Sequence, residues 1–250
     1  MKNKTFLVTG GAGGIGSAIV ETISRNIESG TIIIHYNSNR ANAEKLQKRL
    51  QSEKVKVELV QADLESKAEV EKLCDIILTK HKGIYALVNN AGYVEDKELQ
   101  ERTYEDFEKA FRINLFAPFV LSKKLGKAMF ENKSGKIINI SSASGLILHG
   151  GEFAPTSIDY DATKAAMNSL TKNFAKEYAP YVNVNAIAAG WVDTPFNIDL
   201  PDFVRKEESA KILKQRWAKP QEIADFAWFL MTDKADFING SIHVIDGGKK

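Results

Sequence analysis

The chain has 250 residues, 44% of them hydrophobic, enough for one large α/β unit with a substantial buried core. Thirty-four Lys and Arg stand against 32 Asp and Glu, a formal charge of +2 with no basic tail, which gives no sign of a nucleic-acid binder. A lone cysteine, Cys74, excludes an internal disulfide, His35, His81, His149 and His243 share no metal-ligand spacing, and no apolar stretch reaches about 18 residues; a soluble, cytoplasmic protein without structural metal or membrane span is expected.

Residues 5–8 form a short β-rich run that enters a glycine-rich turn at residues 9–16, and an amphipathic helical pattern follows over residues 15–28. Gly11, Gly13 and Gly16 match the dinucleotide fingerprint, and an overlapping register through Gly10, Gly14, Ile15 and Gly16 is also open. Glycine clusters are common in turns, but a strand before and a helix after would leave free backbone amides where a pyrophosphate can bind. The next strand, residues 31–35, runs out through Tyr36, Asn37, Ser38, Asn39 and Arg40 with no carboxylate to hold the adenosine 2′-hydroxyl of NAD. Asn37, Ser38 and Arg40 can instead donate to a 2′-phosphate, so NADP is favoured over NAD, although Arg40 also reads as a solvated start to the helical pattern at 42–51.

Strand patterns at residues 55–60, 85–88, 136–140, 182–187 and 242–245 then alternate with helical ones at 67–80, 104–131, 159–178 and 221–231. Cys74 falls at an apolar position of its helix and reads as a packed thiol. Continuous apolar strands separated by helices specify α/β architecture: a doubly wound, parallel, seven-stranded sheet with helices on both faces, a single-domain Rossmann fold over residues 1–250. Its ligand belongs at the carboxyl ends of the strands, where the least regular stretches, residues 145–158 and 191–208, would shape a pocket.

Tyr160 and Lys164 stand four apart in the 159–178 helix and so share one face, with the ammonium beside the phenol. A nearby cation lowers a phenol's pKa from about 10 toward working pH, the property wanted in a proton-donating tyrosine. Each residue alone has a blander reading, as packing or solvated surface.

Taken in order, the glycine turn, Asp63 after the third strand, Asn89-Asn90-Ala91-Gly92 after the fourth, Asn114, Ser141-Ser142 after the fifth, then Tyr160 and Lys164 make a pattern. Through it the chain resembles the short-chain dehydrogenase/reductase family over nearly its whole length, and within that family the 3-oxoacyl-[acyl-carrier-protein] reductases. The Asn239-Gly240 pair and Ile245-Asp246-Gly247-Gly248 look like the family's last strand and its exit.

The resemblance implies NAD(P)(H)-dependent interconversion of a carbonyl and a secondary alcohol by hydride transfer. It gives Tyr160 proton transfer, Lys164 the nicotinamide ribose as well, Ser142 (with Ser141 beside it) polarisation of the substrate oxygen, and Asn114 a water-linked proton path to Lys164. Asp63 and Leu64 would meet the adenine end, although an Asp at that junction is also an ordinary helix cap. Asn90, Ala91 and Gly92 would floor the cofactor site, and Gly190, Val192 and Thr194 would close it near the nicotinamide.

Three departures stand out. The chain between Ser142 and Tyr160 is about five residues longer than the family's usual spacing, through residues 150–155, and adds a wall to the pocket. Ala189-Gly190 replaces the usual Pro-Gly, which loosens the following loop, and Gly13 stands where many NADP-preferring members carry a basic residue.

Residues 194–208, with Phe196, Ile198, Leu200, Pro201 and Phe203, read as a lid suited to an acyl or hydrophobic ketone. A carrier-bound acyl thioester is the first substrate expected, with Lys123, Lys124 and Lys127 as a basic surface for an acidic carrier or simply a solvated face. A sugar, polyol or other secondary alcohol is the alternative, and a nucleotide-binding regulator without turnover a third. The family's homotetramer is expected too, because the 221–231 helix is apolar on more than one face.

Overall fold

Side chains of β1 (Lys4–Val8) alternate between two hydrophobic layers: Phe6 and Val8 enter one, Leu7 the other, and all three are fully buried. A strand covered on both faces has no polar side, which is why these runs are continuously apolar. The computed structural model describes residues 1–81, 83–146, 157–197 and 200–249. Its other strands are β2 (Gly30–Tyr36), β3 (Val55–Gln61), β4 (Ala86–Asn89), β5 (Gly135–Ser142), β6 (Val182–Ala189) and β7 (Ile242–Ile245). They form one parallel seven-stranded sheet in the order β3-β2-β1-β4-β5-β6-β7.

The Phe6 and Val8 layer is covered by α1 (Gly14–Asn26), α2 (Arg40–Leu50) and α8 (Pro220–Met231). The Leu7 layer is covered by α3 (Lys67–Lys80), α5 (Ala117–Glu131) and α6 (Ile158–Glu177). Cys74 of α3 is fully buried and burial pushes its thiol up to about 12, so it packs as an inert apolar group. Strand order reverses between β1 and β4, and a doubly wound sheet opens a ligand crevice at that switch point.

Two regions differ from the sequence pattern. Residues 104–131 are helical throughout but not one α-helix: α4 (Tyr104–Phe111) passes through a π-helical segment, Arg112–Phe116, into α5. Pro118 explains the change, because it has no N–H to give the carbonyl of Asn114, its partner in a regular helix. Within residues 191–208, read as irregular, the chain forms α7 (Asp202–Ala210), which buries Val204 and Glu208. The 150–155 insertion, His149 and Ile198 lie outside the described residues.

Candidate active site

The turn between β1 and α1 is drawn so tight that side chains do not fit. Gly10 has φ +59°, and a Cβ on Gly16 would stand 2.3 Å from the Gly10 carbonyl oxygen and 2.6 Å from Asn90 Nδ2. Asn90 ties the next strand end to this turn, its Nδ2 donating to the carbonyl of Thr9 at 2.8 Å. Thr9 Oγ1 in return accepts the backbone N–H of Asn90 at 2.9 Å and of Ala91 at 3.0 Å. α3 and α4 are capped by Ser66 and Thr103, but α1 begins at Gly13 with no side-chain cap. Its first amides are therefore bare and aimed at the cleft, which fits the diphosphate of a dinucleotide.

His35 also holds this turn, although its sequence position carries no recognisable signal. Its Nδ1 accepts from Gly10 N–H at 3.1 Å, which places the ring proton on Nε2, 3.0 Å from the Ala62 carbonyl oxygen. Burial lowers its pKa to about 4. The unfolded chain then binds a proton between pH about 6.5 and about 4 that the folded chain does not, so stability falls as pH drops through that window, by about 3 kcal/mol. Urea denaturation at pH 7 and pH 4.5 should show this loss in the wild type and a smaller one in His35→Gln.

A single cleft of about 820 Å³ runs from the end of β2 to α6, within the size range of small-molecule and cofactor sites. Gly10, Gly14, Ile15, Asn37, Ser38, Asp63, Leu64, Asn90, Ala91, Gly92, Gly190, Val192 and Thr194 all line it. Asp63 does not cap α3, a job done by Ser66; its Oδ1 accepts from Glu65 N–H at 3.0 Å in a turn that presents the carboxylate to the cleft. Ala189 ends β6 in register with both Ser142 and Ile245, so the loop carrying Gly190 starts from a strand paired on both sides. Two expected cofactor residues stand apart. Gly16 lies behind the lining as packing, and Arg40 is exposed in an ion pair with Glu44 at 2.8 Å.

At the far end Ser142, Tyr160 and Lys164 converge. Burial pushes the Tyr160 phenol up to about 12, against a hydrogen bond from Ser142 that pulls it down. Burial likewise lowers Lys164 to about 8. The expected depression of the tyrosine pKa is therefore overturned by desolvation; the Lys164 Nζ lies 5.3 Å from the ring centroid and donates to the Ile140 carbonyl at 2.8 Å. A phenol that keeps its proton at neutral pH is still suited to giving it to a developing alkoxide. Ser141, by contrast, is buried and donates to the backbone carbonyl of Lys164 at 3.3 Å, leaving Ser142 as the serine beside Tyr160.

Asn114 is fully buried in the π-helical segment. Its Oδ1 accepts from Tyr93 N–H at 2.7 Å and its Nδ2 donates to the Tyr93 carbonyl at 2.8 Å and to Thr163 Oγ1 at 3.1 Å. It thus clamps the loop after β4 to α6 and does not touch Lys164 through a direct hydrogen bond. Beneath it, Asn89 Nδ2 donates to Ser122 and to Asn139, and Asn139 to Thr171, a buried polar chain of which the sequence pattern named only Asn89.

Opposite the cofactor side, the cleft is lined by Val94, Trp191, Phe196 and Leu200 and by the carboxylates of Glu95, Asp96 and Asp161. Burial raises the pKa of both Asp96 and Asp161, against a lowering by Arg102. Arg102 itself is buried in an ion pair with Asp159 at 2.7 Å and donates to the carbonyl of Glu95 at 2.8 Å.

The chain is similar to known proteins over nearly its whole length. A family model described as enoyl-(acyl carrier protein) reductase matches residues 10–250. An uncharacterized oxidoreductase of Bacillus subtilis is 35% identical over 248 residues, covering 98% of each chain. A 3-oxoacyl-[acyl-carrier-protein] reductase of Thermotoga maritima is 29% identical over 249 residues, covering 99% of this chain and 98% of its own. A 2-dehydro-3-deoxy-D-gluconate 5-dehydrogenase of Bacillus subtilis is 33% identical over 253 residues, with 99% and 95% covered. Among solved structures, a putative NAD(P)-dependent gluconate 5-dehydrogenase from Beutenbergia cavernae with bound NADP superposes with a TM-score of 0.89 at 29% identity, over 99% of this chain and 96% of that one.

Proposed function

The chain belongs to the short-chain dehydrogenase/reductase family and is an NAD(P)(H)-dependent oxidoreductase, and from that premise we propose that Tyr160, Ser142 and Lys164 carry out carbonyl reduction and its reverse. What supports this most is their convergence at one end of a cleft whose other end is the uncapped N-terminus of α1. The nicotinamide cofactor, when bound, supplies or accepts the hydride. Tyr160 gives its proton to the carbonyl oxygen as negative charge develops there, and Ser142 donates a hydrogen bond to the same oxygen. Lys164 keeps a positive charge near the phenolate below its pKa of about 8, and that support fades as pH rises through this value.

The preferred cofactor is NADP. Tyr36, Asn37, Ser38 and Asn39 line the adenosine end and bring no carboxylate against a 2′-phosphate. Arg40, paired with Glu44, would have to exchange partners to join them. Ser38→Asp should weaken NADP binding by about tenfold or more, through like-charge repulsion, and spare NAD. Fluorescence titration with both cofactors checks it; clearly tighter NAD binding by the wild type would reverse the assignment.

Two substrate classes fit the remaining walls. Val94, Trp191, Phe196 and Leu200 suit a 3-oxoacyl thioester, such as the relatives named for that activity reduce. Glu95, Asp96 and Asp161 instead favour a sugar or polyol, whose hydroxyls can donate to carboxylates, and disfavour an acidic carrier. The lysines read as a carrier surface are partnered in part, Lys124 with Asp75 and Lys127 with Glu131. Steady-state assays of acetoacetyl thioester against a panel of sugars and cyclic ketones decide between them; absence of thioester turnover would discard the acyl reading. A homotetramer is proposed from the exposed Phe116 and Phe119 of the 112–131 helical stretch and from Phe237 and Val244 around β7, and sizing in solution tests it.

A further inference from the structure

The chain after β7 returns to the cleft by way of α7. Gly247 and Gly248 turn it, with φ +72° and +79°, a left-handed pair that side chains disfavour. The Gly247 carbonyl accepts from Lys214 N–H at 3.2 Å and that of Gly248 from Leu213 N–H at 3.0 Å, while Lys249 pairs with Ile212. This lays the tail against the segment after α7 and brings Lys249 Nζ within 2.7 Å of Glu208 Oε2. The other oxygen of Glu208 accepts from Lys211 Nζ at 2.9 Å. A third donor comes from a different part of the chain: Trp191 Nε1–H bonds Oε2 at 2.9 Å.

Two ammonium groups would suffice to neutralise a buried carboxylate, so the indole bond is what ties this cluster to the cleft. The Glu208 and Lys249 side chains are 1% and 4% exposed and cannot turn to water. Burial acts to raise the Glu208 pKa, but the hydrogen bonds from Lys249, Lys211 and Trp191 together hold it at about 2, which keeps an ionised acceptor facing the indole at every working pH. Trp191 is half-buried and lines the cleft. Its ring stacks on Trp217 at 5.0 Å and 16°, and its backbone carbonyl accepts from Ala218 N–H at 2.9 Å. Farther along the same loop, Thr194 packs on the glycine turn, its Cγ2 standing 2.5 Å from where a Cβ on Gly14 would lie. The loop after β6 is thus fixed at the cofactor turn by Thr194 and at the opposite wall by Trp191. A second link from α7, Arg205 to Asp193 at 2.9 Å, is solvent-exposed and contributes little.

We propose that Glu208, braced by Lys249, is a positioning residue that fixes the Trp191 indole as a rigid wall of the cleft, and that Trp191 thereby sets the upper size of the carbonyl compound admitted. The inference rests on the reading of this end of the cleft as the substrate end. Glu208 occupies the one polar atom of the indole, so Trp191 offers a substrate only carbon and selects by shape.

Trp191→Ala should raise kcat/KM for the bulkiest compound turned over in the panel above, relative to the smallest, by about tenfold or more. Glu208→Leu combined with Lys249→Met removes the acceptor for the indole without stranding a buried charge, and Lys211 keeps Glu207 as a partner. This double variant should move the same ratio in the same direction by about threefold to tenfold, chiefly through KM, while kcat for the smallest compound stays at the wild-type value. Glu208→Gln, whose amide oxygen can still accept from the indole, should keep the wild-type ratio. A second readout needs neither cofactor nor substrate: acrylamide quenching of the Trp191 fluorescence, taken as the difference from the same protein carrying Trp191→Phe, should increase in the double variant and not in Glu208→Gln. An unchanged ratio in Trp191→Ala would overturn the proposal, as would a wild-type ratio or wild-type quenching in the double variant. A shift in Glu208→Gln as large as in the double variant would overturn it too, by placing the effect in the charge instead of the indole bond. Wild-type turnover in Tyr160→Phe would instead sink the functional reading beneath it.

Discussion

Tyr160→Phe should lower kcat by about 10²–10⁴-fold, the range that a positioned proton donor contributes, with little change in cofactor affinity. The phenyl ring keeps the packing, including the tilted contact with Phe196 at 6.4 Å between centroids, and removes only the hydroxyl. Nothing else described at that end of the cleft replaces it: the serines hold their protons too tightly to act as acids at neutral pH, and Lys164 Nζ is turned to the Ile140 carbonyl. Steady-state rates and fluorescence titration of cofactor on the same preparation separate the chemical step from binding. A loss of less than about threefold in kcat would place the proton source elsewhere.

Arg102→Met should destabilise the fold by about 3–5 kcal/mol, because it leaves Asp159 buried without its cation. The two side chains are 2% and 1% exposed, so the uncompensated carboxylate cannot turn to water. Arg102 also holds the carbonyl of Glu95, so its loss frees the loop after β4 from the first turn of α6, the turn that carries Tyr160. Replacing both partners with apolar groups of similar volume, in Arg102→Met with Asp159→Leu, should recover much of the stability. Urea denaturation of the two singles and the double measures the coupling. If the double is as unstable as the sum of the singles, the pair is not the source of the loss.

The layers of the sheet were legible because a doubly covered strand advertises itself: Phe6, Leu7 and Val8 are apolar in sequence whichever face they take. The glycine turn was legible for a similar reason, since a backbone contact as close as that of Gly16 to Gly10 leaves the residue no side chain to vary. The π-helical segment was not, although Pro118 marks it, because a proline reads as an interruption only when its partner carbonyl is known to matter. His35 and Thr9 were missed because they act through hydrogen bonds to residues distant in sequence, Gly10 and Ala62 in one case and Asn90 and Ala91 in the other. The direction of the Tyr160 shift was misjudged on a local pairing. Spacing on a helix puts a cation near a phenol, but only the folded core says how much water both have lost. Arg102 and Asp159, 57 positions apart, carry no signal in sequence at all.

A crystal structure with NADP and the preferred alcohol bound tests the account at its centre. It should place the diphosphate on the bare amides at the start of α1 and the alcohol oxygen within hydrogen-bonding distance of both Tyr160 Oη and Ser142 Oγ. A substrate oxygen bound out of reach of Tyr160, or a dinucleotide lying outside the cleft between β1 and β4, would contradict it.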